Sequence, residues 1–308
     1  MISFWCIFVF KNIIAMKTTV VGMGELLWDV LPEGKRIGGA PANFAYHVSQ
    51  FGFDSHVVSA VGNDADGDEI VEVLRGKLEG IEVARVPFPT GTVQVSLDAA
   101  GVPQYEIKEG VAWDNIPFTA RLRQLAAETR AVCFGSLAQR SEVSRNTIRQ
   151  FLQTMPDDDG WLKIFDINLR QTFYCKEVIE ESMRLCNVMK INDEELKVVA
   201  DMFGCNGSDC REVCRKLLDD FSLQVLILTC GADGSKVFAR DCVSELGTPR
   251  VTVADTVGAG DSFTAAFTAS YLKGMTVAEA HNRAVQVSAY VCTQNGAMPQ
   301  LPQELIGI

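Results

Sequence analysis

Apolar positions along the chain fall into short β-branched runs, each followed by a longer stretch with helical apolar spacing. Thr18 to Val21 leads into Gly22 and Gly24, and Ala40 to Phe51 then reads as a helix closed by Gly52. The same beat recurs in His56 to Val61 with Asp66 to Leu78, and in Ala131 to Phe134 with Ser141 to Met155. It returns in Leu162 to Ile167 with Lys176 to Leu185, and in Val188 to Ile191 with Asp193 to Met202. Strands alternating with helices predict an α/β fold with a doubly wound, mostly parallel sheet and sites at the strand C-terminal ends. Two helical patterns rich in Ala and Val, Gly258 to Lys273 and Val277 to Cys292, close the chain.

Some segments break this rhythm. Thr92 to Leu97, the turn Asp98-Ala99-Ala100-Gly101 and Val102 to Ile107 read as a β-hairpin, and Trp28 to Ile37 adds an extended pair around Pro32-Glu33-Gly34. Strands outside a βα alternation predict a small β-strand lid, from about 28–38 and 90–112. Uncovered sheet edges are a liability, so a homodimer formed through the lid is expected. Gly234 to Arg240 against Val243 to Leu246 reads as an antiparallel extension at the edge of the main sheet.

With 308 residues, 47% hydrophobic and 22% charged, and no linker-like tract, residues 16–308 are expected to form one domain. The net charge of -11 argues against a nucleic-acid partner, which usually requires a basic face. An acidic protein that handles phosphate must therefore concentrate backbone donors or metal ions locally. Ten scattered cysteines fit reduced thiols and a cytoplasmic location. Cys205, Cys210 and Cys214 lack a fourth partner for zinc, and Cys210 and Cys214 are spaced as neighbours on any helix face. Residues 1–15 are apolar but interrupted by Lys11 and Asn12 and too short to span a bilayer, so they read as a non-native or misassigned extension before Met16. No membrane association is expected. His47, His56 and His281 have no nucleophile motif around them and are assigned packing or surface roles.

Chemistry is concentrated in Asp255-Thr256-Val257-Gly258-Ala259-Gly260-Asp261-Ser262-Phe263, a small-residue turn opening into an apolar helix. Free N–H groups at such a start, with the helix dipole, make an anion site without any basic side chain. In the first turn beside that site, the Asp261 carboxylate could take a hydroxyl proton as the oxygen attacks phosphorus. An acid there also suits the dipole alone. Asn192-Asp193-Glu194-Glu195 reads as a capping box at a strand-to-helix junction, and its carboxylate also suits a hydrated cation. No G-x-x-x-x-G-K-[ST] string is present, and Gly22-Met23-Gly24 lacks the third glycine of a dinucleotide fingerprint.

The nine-residue string matches D-T-x-G-A-G-D-x-F, and with Gly38-Gly39-Ala40-Pro41-Ala42-Asn43 after Gly24-Glu25 and Asp29 it resembles the ribokinase-like (PfkB) carbohydrate kinases, fructokinase branch. The resemblance runs from Met16 to the end and implies a three-layer, Rossmann-like fold. It implies that Asp261 is the base, that Gly258, Ala259 and Gly260 form the anion hole, and that Asp29, Gly38, Gly39 and Asn43 bind the sugar. Asn192 and Glu195 match the N-x-x-E element on the Mg²⁺ and phosphate side, Glu195 acting through water. Thr229, Gly231, Gly234 and Asn295 fall on the ATP side, and Asp255, Val257, Gln294 and Gly296 on a K⁺ site found in many members. Asp166-Ile167-Asn168-Leu169-Arg170 resembles the D-x-N-x-R segment of fructokinases, which usually has Pro at the Ile167 position. Arg170 could hold phosphoryl oxygens, or it could pair with Asp166 as a structural residue.

The resulting expectation is Mg²⁺-ATP-dependent phosphorylation of a free sugar, fructose to fructose 6-phosphate. Ribose, 2-keto-3-deoxygluconate and other sugars remain open. A phosphorylated acceptor is disfavoured because Lys35, Arg36 and Lys108 are the only basic residues near the predicted sugar side. A non-catalytic sensor could keep Gly39 and Asn43 while losing the base, but here Asp261 and the whole string are present.

Overall fold

The computed structural model describes residues 18–31, 34–97, 103–158, 160–205 and 209–307. The first fifteen residues, the turn residues 98–101 and the Pro32-Glu33 pair fall outside these. The described strands are β1 (Thr19–Met23), β2 (Leu27–Leu31), β3 (Gly34–Gly38), β4 (Asp54–Gly62), β5 (Gly80–Val86), β6 (Gly91–Leu97), β7 (Pro103–Ile107), β8 (Thr129–Phe134), β9 (Leu162–Asp166), β10 (Val188–Asn192), β11 (Val225–Thr229), β12 (Ser235–Ala239) and β13 (Val243–Leu246). The helices are α1 (Ala40–Gln50), α2 (Ala65–Arg75), α3 (Ala120–Glu128), α4 (Glu142–Thr154), α5 (Lys176–Leu185), α6 (Asp193–Phe203), α7 (Cys210–Asp220), α8 (Ala259–Leu272), α9 (Val277–Cys292) and α10 (Gln303–Ile306).

The large sheet runs β13-β12-β11-β10-β9-β8-β1-β4-β5, parallel throughout except that β12 and β13 are antiparallel extensions. Its central strands are apolar on both faces, as a sheet covered on both sides requires. Successive residues feed opposite cores. Val132 and Phe134 of β8 and Phe165 of β9 pack with α3 to α7, whereas Ala131, Cys133 and Ile164 pack with α1, α8 and α9. The alanines of α8 let it lie close to α9 and α1 on that second face.

The lid is a second sheet, ordered β3-β2-β6-β7, antiparallel within each hairpin and parallel where β2 meets β6. It is built from two insertions, one between β1 and α1 and one between β5 and α3. Trp28 on β2 is buried and donates from Nε1 to the Asp66 carbonyl of α2 at 3.0 Å. Behind the lid, Arg140 forms a bidentate pair with Asp114 at 2.8 and 2.9 Å and stacks on Trp113 and Phe173.

The predicted elements are present, with ends shifted by a few residues at most. Elements beyond those predicted include β5, α3, α7 and the four-residue α10. Glu82 and Arg85 interrupt the apolar pattern of β5, an edge strand, and α3 and α7 each show only a few buried positions.

Candidate active site

Because β1, β8, β9, β10 and β11 are parallel, their C-terminal ends share one edge, and the start of α8 is packed against it. A pocket of about 280 Å³, counting the space at its mouth, opens there. It is lined by Glu25, Ala40, Pro41, Phe44, Cys133, Phe134, Gly135, Asp166, Asn168, Asp261 and Thr264.

Asp261 stands in the first turn of α8, as predicted. Its Oδ2 accepts a hydrogen bond from Nδ2 of Asn43 on α1 at 2.7 Å, which joins the two sequence signatures in one place. Burial and the charge of Asp166 push the Asp261 carboxyl up to about 6, against the opposing effects of Asn43, Lys190 and Arg170. Asn43 is buried, and its Oδ1 has no partner among the described residues.

Gly258 caps α8 with φ 78°, and a Cβ on it would come within 2.7 Å of Ala297. The Ala259 N–H donates to Thr256 O and the Ser262 N–H to Gly258 O. That leaves the N–H groups of Gly260 and Asp261 without a protein acceptor among the described residues. Gly260 lies within, and Asp261 directly after, the Gly258 to Gly260 stretch expected to hold an anion. A basic side chain lies beside these donors. The Nζ of Lys190 lies 3.0 Å from where a Cβ on Gly260 would stand.

Lys190 is buried in the middle of β10 and donates to Asp166 Oδ1 at 3.0 Å, while Thr264 donates to Oδ2 at 2.9 Å. Burial alone would lower the Lys190 pKa, but Asp166, Glu195 and Asp261 outweigh it and raise it. The structural alternative for Arg170, pairing with Asp166, is thus overturned. Arg170 is exposed, donates to Leu169 O at 3.3 Å, and follows Asn168 in a left-handed conformation (φ 46°). Its charge still reaches the site and opposes the upward shifts of Glu25, Asp29 and Asp261.

On the lid side, burial raises the Asp29 carboxyl above its ordinary range, and its Oδ2 crowds Gly38, where a Cβ would come within 2.4 Å. Gly39 has φ 121°, and a Cβ there would meet the Glu25 carbonyl at 2.4 Å. Only glycine lets the chain enter α1 along this path.

Asn192 caps α6 by accepting from Glu194 and Glu195 N–H, and Glu195 closes the capping box. Both Glu195 oxygens are engaged, by Leu169 N–H and Asn192 N–H, each at 2.9 Å. No group of three or more potential ligands among the described His, Cys, Asp and Glu side chains could hold a metal. Glu195, with both oxygens held by backbone N–H groups, suits a cation reached through water rather than by direct ligation.

Thr229 ends β11, and Gly231 to Gly234 form a short turn closed by Cys230 N–H donating to Gly234 O at 2.8 Å. Asp255 accepts from Val257 N–H at 3.0 Å and from Gly296 N–H at 3.2 Å, so the loop before α8 and the Gln294 to Gly296 turn are brought together; Asn295 is exposed beside them. The histidines stay structural. His47 and His281 are buried, bonded to Ala297 O and to Ser235 and Ser244, and burial lowers each to about 4. All described cysteines are free.

The pfkB family of carbohydrate kinases matches residues 24–304. The chain belongs to that family. Its relatives include an ATP-dependent 6-phosphofructokinase of Thermoanaerobacterium thermosaccharolyticum, 26% identical with 93% of this chain and 91% of that protein covered. A fructokinase of Salmonella typhimurium is 27% identical, with coverage of 94% and 98%. A sugar kinase of Pyrococcus horikoshii, solved in complex with ATP, superposes with a TM-score of 0.73 at 27% identity, covering 91% of this chain and 94% of its own. The protein is thus a carbohydrate kinase, a phosphotransferase with an alcohol acceptor, on the ribokinase-like fold.

The sequence pattern does not point to Lys190, Thr264 or Glu25, which lie at the candidate site. Lys190 is a lone charge in an apolar strand, a weak signal. Glu25 stands in a Gly-Glu pair, and nothing in its surroundings along the chain marks its carboxyl as buried.

Proposed function

We propose that this kinase transfers the γ-phosphoryl group of ATP to a primary hydroxyl of a free sugar, fructose giving fructose 6-phosphate. The observation that carries the reading is the Asn43 to Asp261 hydrogen bond, which sets a basic carboxylate between a polyol-binding amide and the α8 anion site. Asp261 takes the hydroxyl proton as the oxygen attacks phosphorus. The Gly258 to Gly260 start of α8, with the Gly260 and Asp261 N–H groups, and Arg170 and Lys190 stabilise charge on the transferring group. Asp29, Gly38, Gly39 and Asn43 hold the sugar, the unpaired Asn43 Oδ1 being open to a hydroxyl.

On the nucleotide side, Asn192, Thr229, Gly231, Gly234 and Asn295 bind ATP. A divalent cation, Mg²⁺, supplies neutralisation of phosphate charge when bound, and Glu195 would hold it through water. K⁺ beside Asp255, Val257, Gln294 and Gly296 is part of the same proposal, as are a cytoplasmic setting and a homodimer through lid edges β3 and β7. Light scattering tests the dimer.

A free sugar is favoured over a sugar phosphate because the lid's basic side chains already face carboxylates. Lys35 pairs with Asp66 and Glu69, Lys108 with Glu106, and Arg36 lies 3.6 Å from Asp255. The test is ADP release with Mg²⁺-ATP across fructose, ribose, 2-keto-3-deoxygluconate, glucose, fructose 6-phosphate and adenosine, with and without K⁺. The Asp261→Asn protein runs beside the wild type. Fructose well ahead of the others, with turnover in the variant reduced by about 10²- to 10⁴-fold, is the expected result. A different preferred sugar rejects fructose, and wild-type turnover in the variant removes Asp261 from the mechanism.

A further inference from the structure

Glu25 follows β1 at the floor of the pocket and has no part in the mechanism above. Its side chain is buried, the residue being only 4% exposed, and its Oε2 has no hydrogen-bond partner among the described residues. The same pocket is lined by Asp261 and by apolar Pro41, Phe44 and Phe134. A buried polar oxygen left unpaired in such surroundings is costly, so a site that keeps one is built for a partner that arrives later.

The neighbouring charges narrow the partner. Burial pushes the Glu25 carboxyl up to about 7, Asp261 adds to the rise, and the peptide groups of Glu25 and Ala40 and the charge of Arg170 oppose it. A carboxyl near neutrality is best served by a group that can both donate and accept, and a hydroxyl does both. An anionic phosphate does not, and the anion site is formed by the start of α8 instead.

We propose that Glu25 is a specificity-determining residue of this kinase: its free carboxyl oxygen takes one hydroxyl of the acceptor sugar, other than the hydroxyl that Asp261 deprotonates. The assignment rests on the sugar-kinase reading of the pocket. Its consequence is selection among sugars by the presence of that second hydroxyl. A site that hydrogen-bonds a hydroxyl discriminates strongly against an analogue lacking it.

The experiment is calorimetric binding of fructose, ribose, 2-keto-3-deoxygluconate and glucose to wild type, Glu25→Gln and Glu25→Met, with and without ADP. Monodeoxy analogues of the tightest-binding sugar follow. Glu25→Met is expected to weaken binding by about 10- to 100-fold, the worth of a hydrogen bond to a charged group, and Glu25→Gln by less. One deoxy analogue should bind wild type and Glu25→Met equally, because each complex lacks the same contact. A Glu25 that only supports the start of α1 would lower the melting temperature of the variants and leave their binding ratio to wild type the same for every analogue. That result overturns the assignment, as does wild type that binds no sugar. Glu25→Gln keeps the shape of the side chain and carries the same comparison if Glu25→Met fails to fold. Sugar binding that depends on Glu25 without any ADP release would leave this assignment standing and reject the proposed reaction.

Discussion

Asn43 on α1 donates to Asp261 on α8 at 2.7 Å, across 218 positions of the chain. The bond favours the ionised carboxylate and holds its pKa below where burial and Asp166 would otherwise drive it. In Asn43→Ala that support is gone, so the Asp261 pKa should rise further above about 6. A base must be unprotonated to act, so the acidic limb of the kcat profile should move to higher pH. The measurement is kcat against pH from 5 to 9 at saturating sugar. An unmoved limb would mean that another group controls it.

Asp261 was legible from its helix start and Asn43 through the family resemblance, whereas the contact between them comes from the fold. Gly39 and Gly258 are required by backbone paths that a Cβ would block. Lys190, Thr264 and Glu25 were not legible in the same way. Lys190 and Thr264 lie in elements that read as core and Glu25 in the loop after β1, and the role of each depends on which elements become neighbours. Lys190 meets Asp166 only because β10 lies beside β9. The Asp166-Arg170 pairing failed for the same reason, since closeness in sequence stood in for a contact that the sheet order gives to Lys190.

Raised carboxyls also leave a mark on stability. Asp261 is raised to about 6, so between the ordinary carboxyl range and that value the folded protein holds a proton that the unfolded chain has lost. The stabilising contribution is present at pH below the unfolded value and is lost as pH rises through about 6. Asp261→Asn carries no charge at either end. It should be more stable than wild type at pH 8, on the order of 2 kcal/mol, with the gap closing near pH 4. Thermal unfolding at the two pH values checks the sign, and a variant less stable at pH 8 contradicts it.

Gly39→Ala tests the path into α1. Its φ of 121° and the 2.4 Å approach to the Glu25 carbonyl add strain and overlap, and neither partner is a flexible side-chain end. Gly34 has a similar φ of 136°, but among the described residues nothing lies within 4 Å of where its Cβ would stand. Gly34→Ala should therefore lose only the backbone share, about 1–3 kcal/mol, and keep its activity. Gly39→Ala should lose more stability and nearly all sugar binding. Equal effects of the two substitutions on melting temperature and on sugar KM would show that the contact with Glu25 is not what fixes glycine there.

Lys190 joins the fold to the chemistry. It neutralises Asp166, which raises Asp261, and lies beside Gly260 at the start of α8. Removing one partner of a buried pair strands the other charge, so Lys190→Met should lose about 3–5 kcal/mol of stability at pH 7. Adding Asp166→Asn removes the stranded charge and should recover much of that loss. It should not restore turnover, because the positive charge beneath the proposed anion site is still missing. Urea unfolding and kcat for the single and double variants separate the two roles. Recovery of both together would make Lys190 a partner of Asp166 and nothing more, whereas stability regained without turnover assigns its charge to the transferring phosphoryl group.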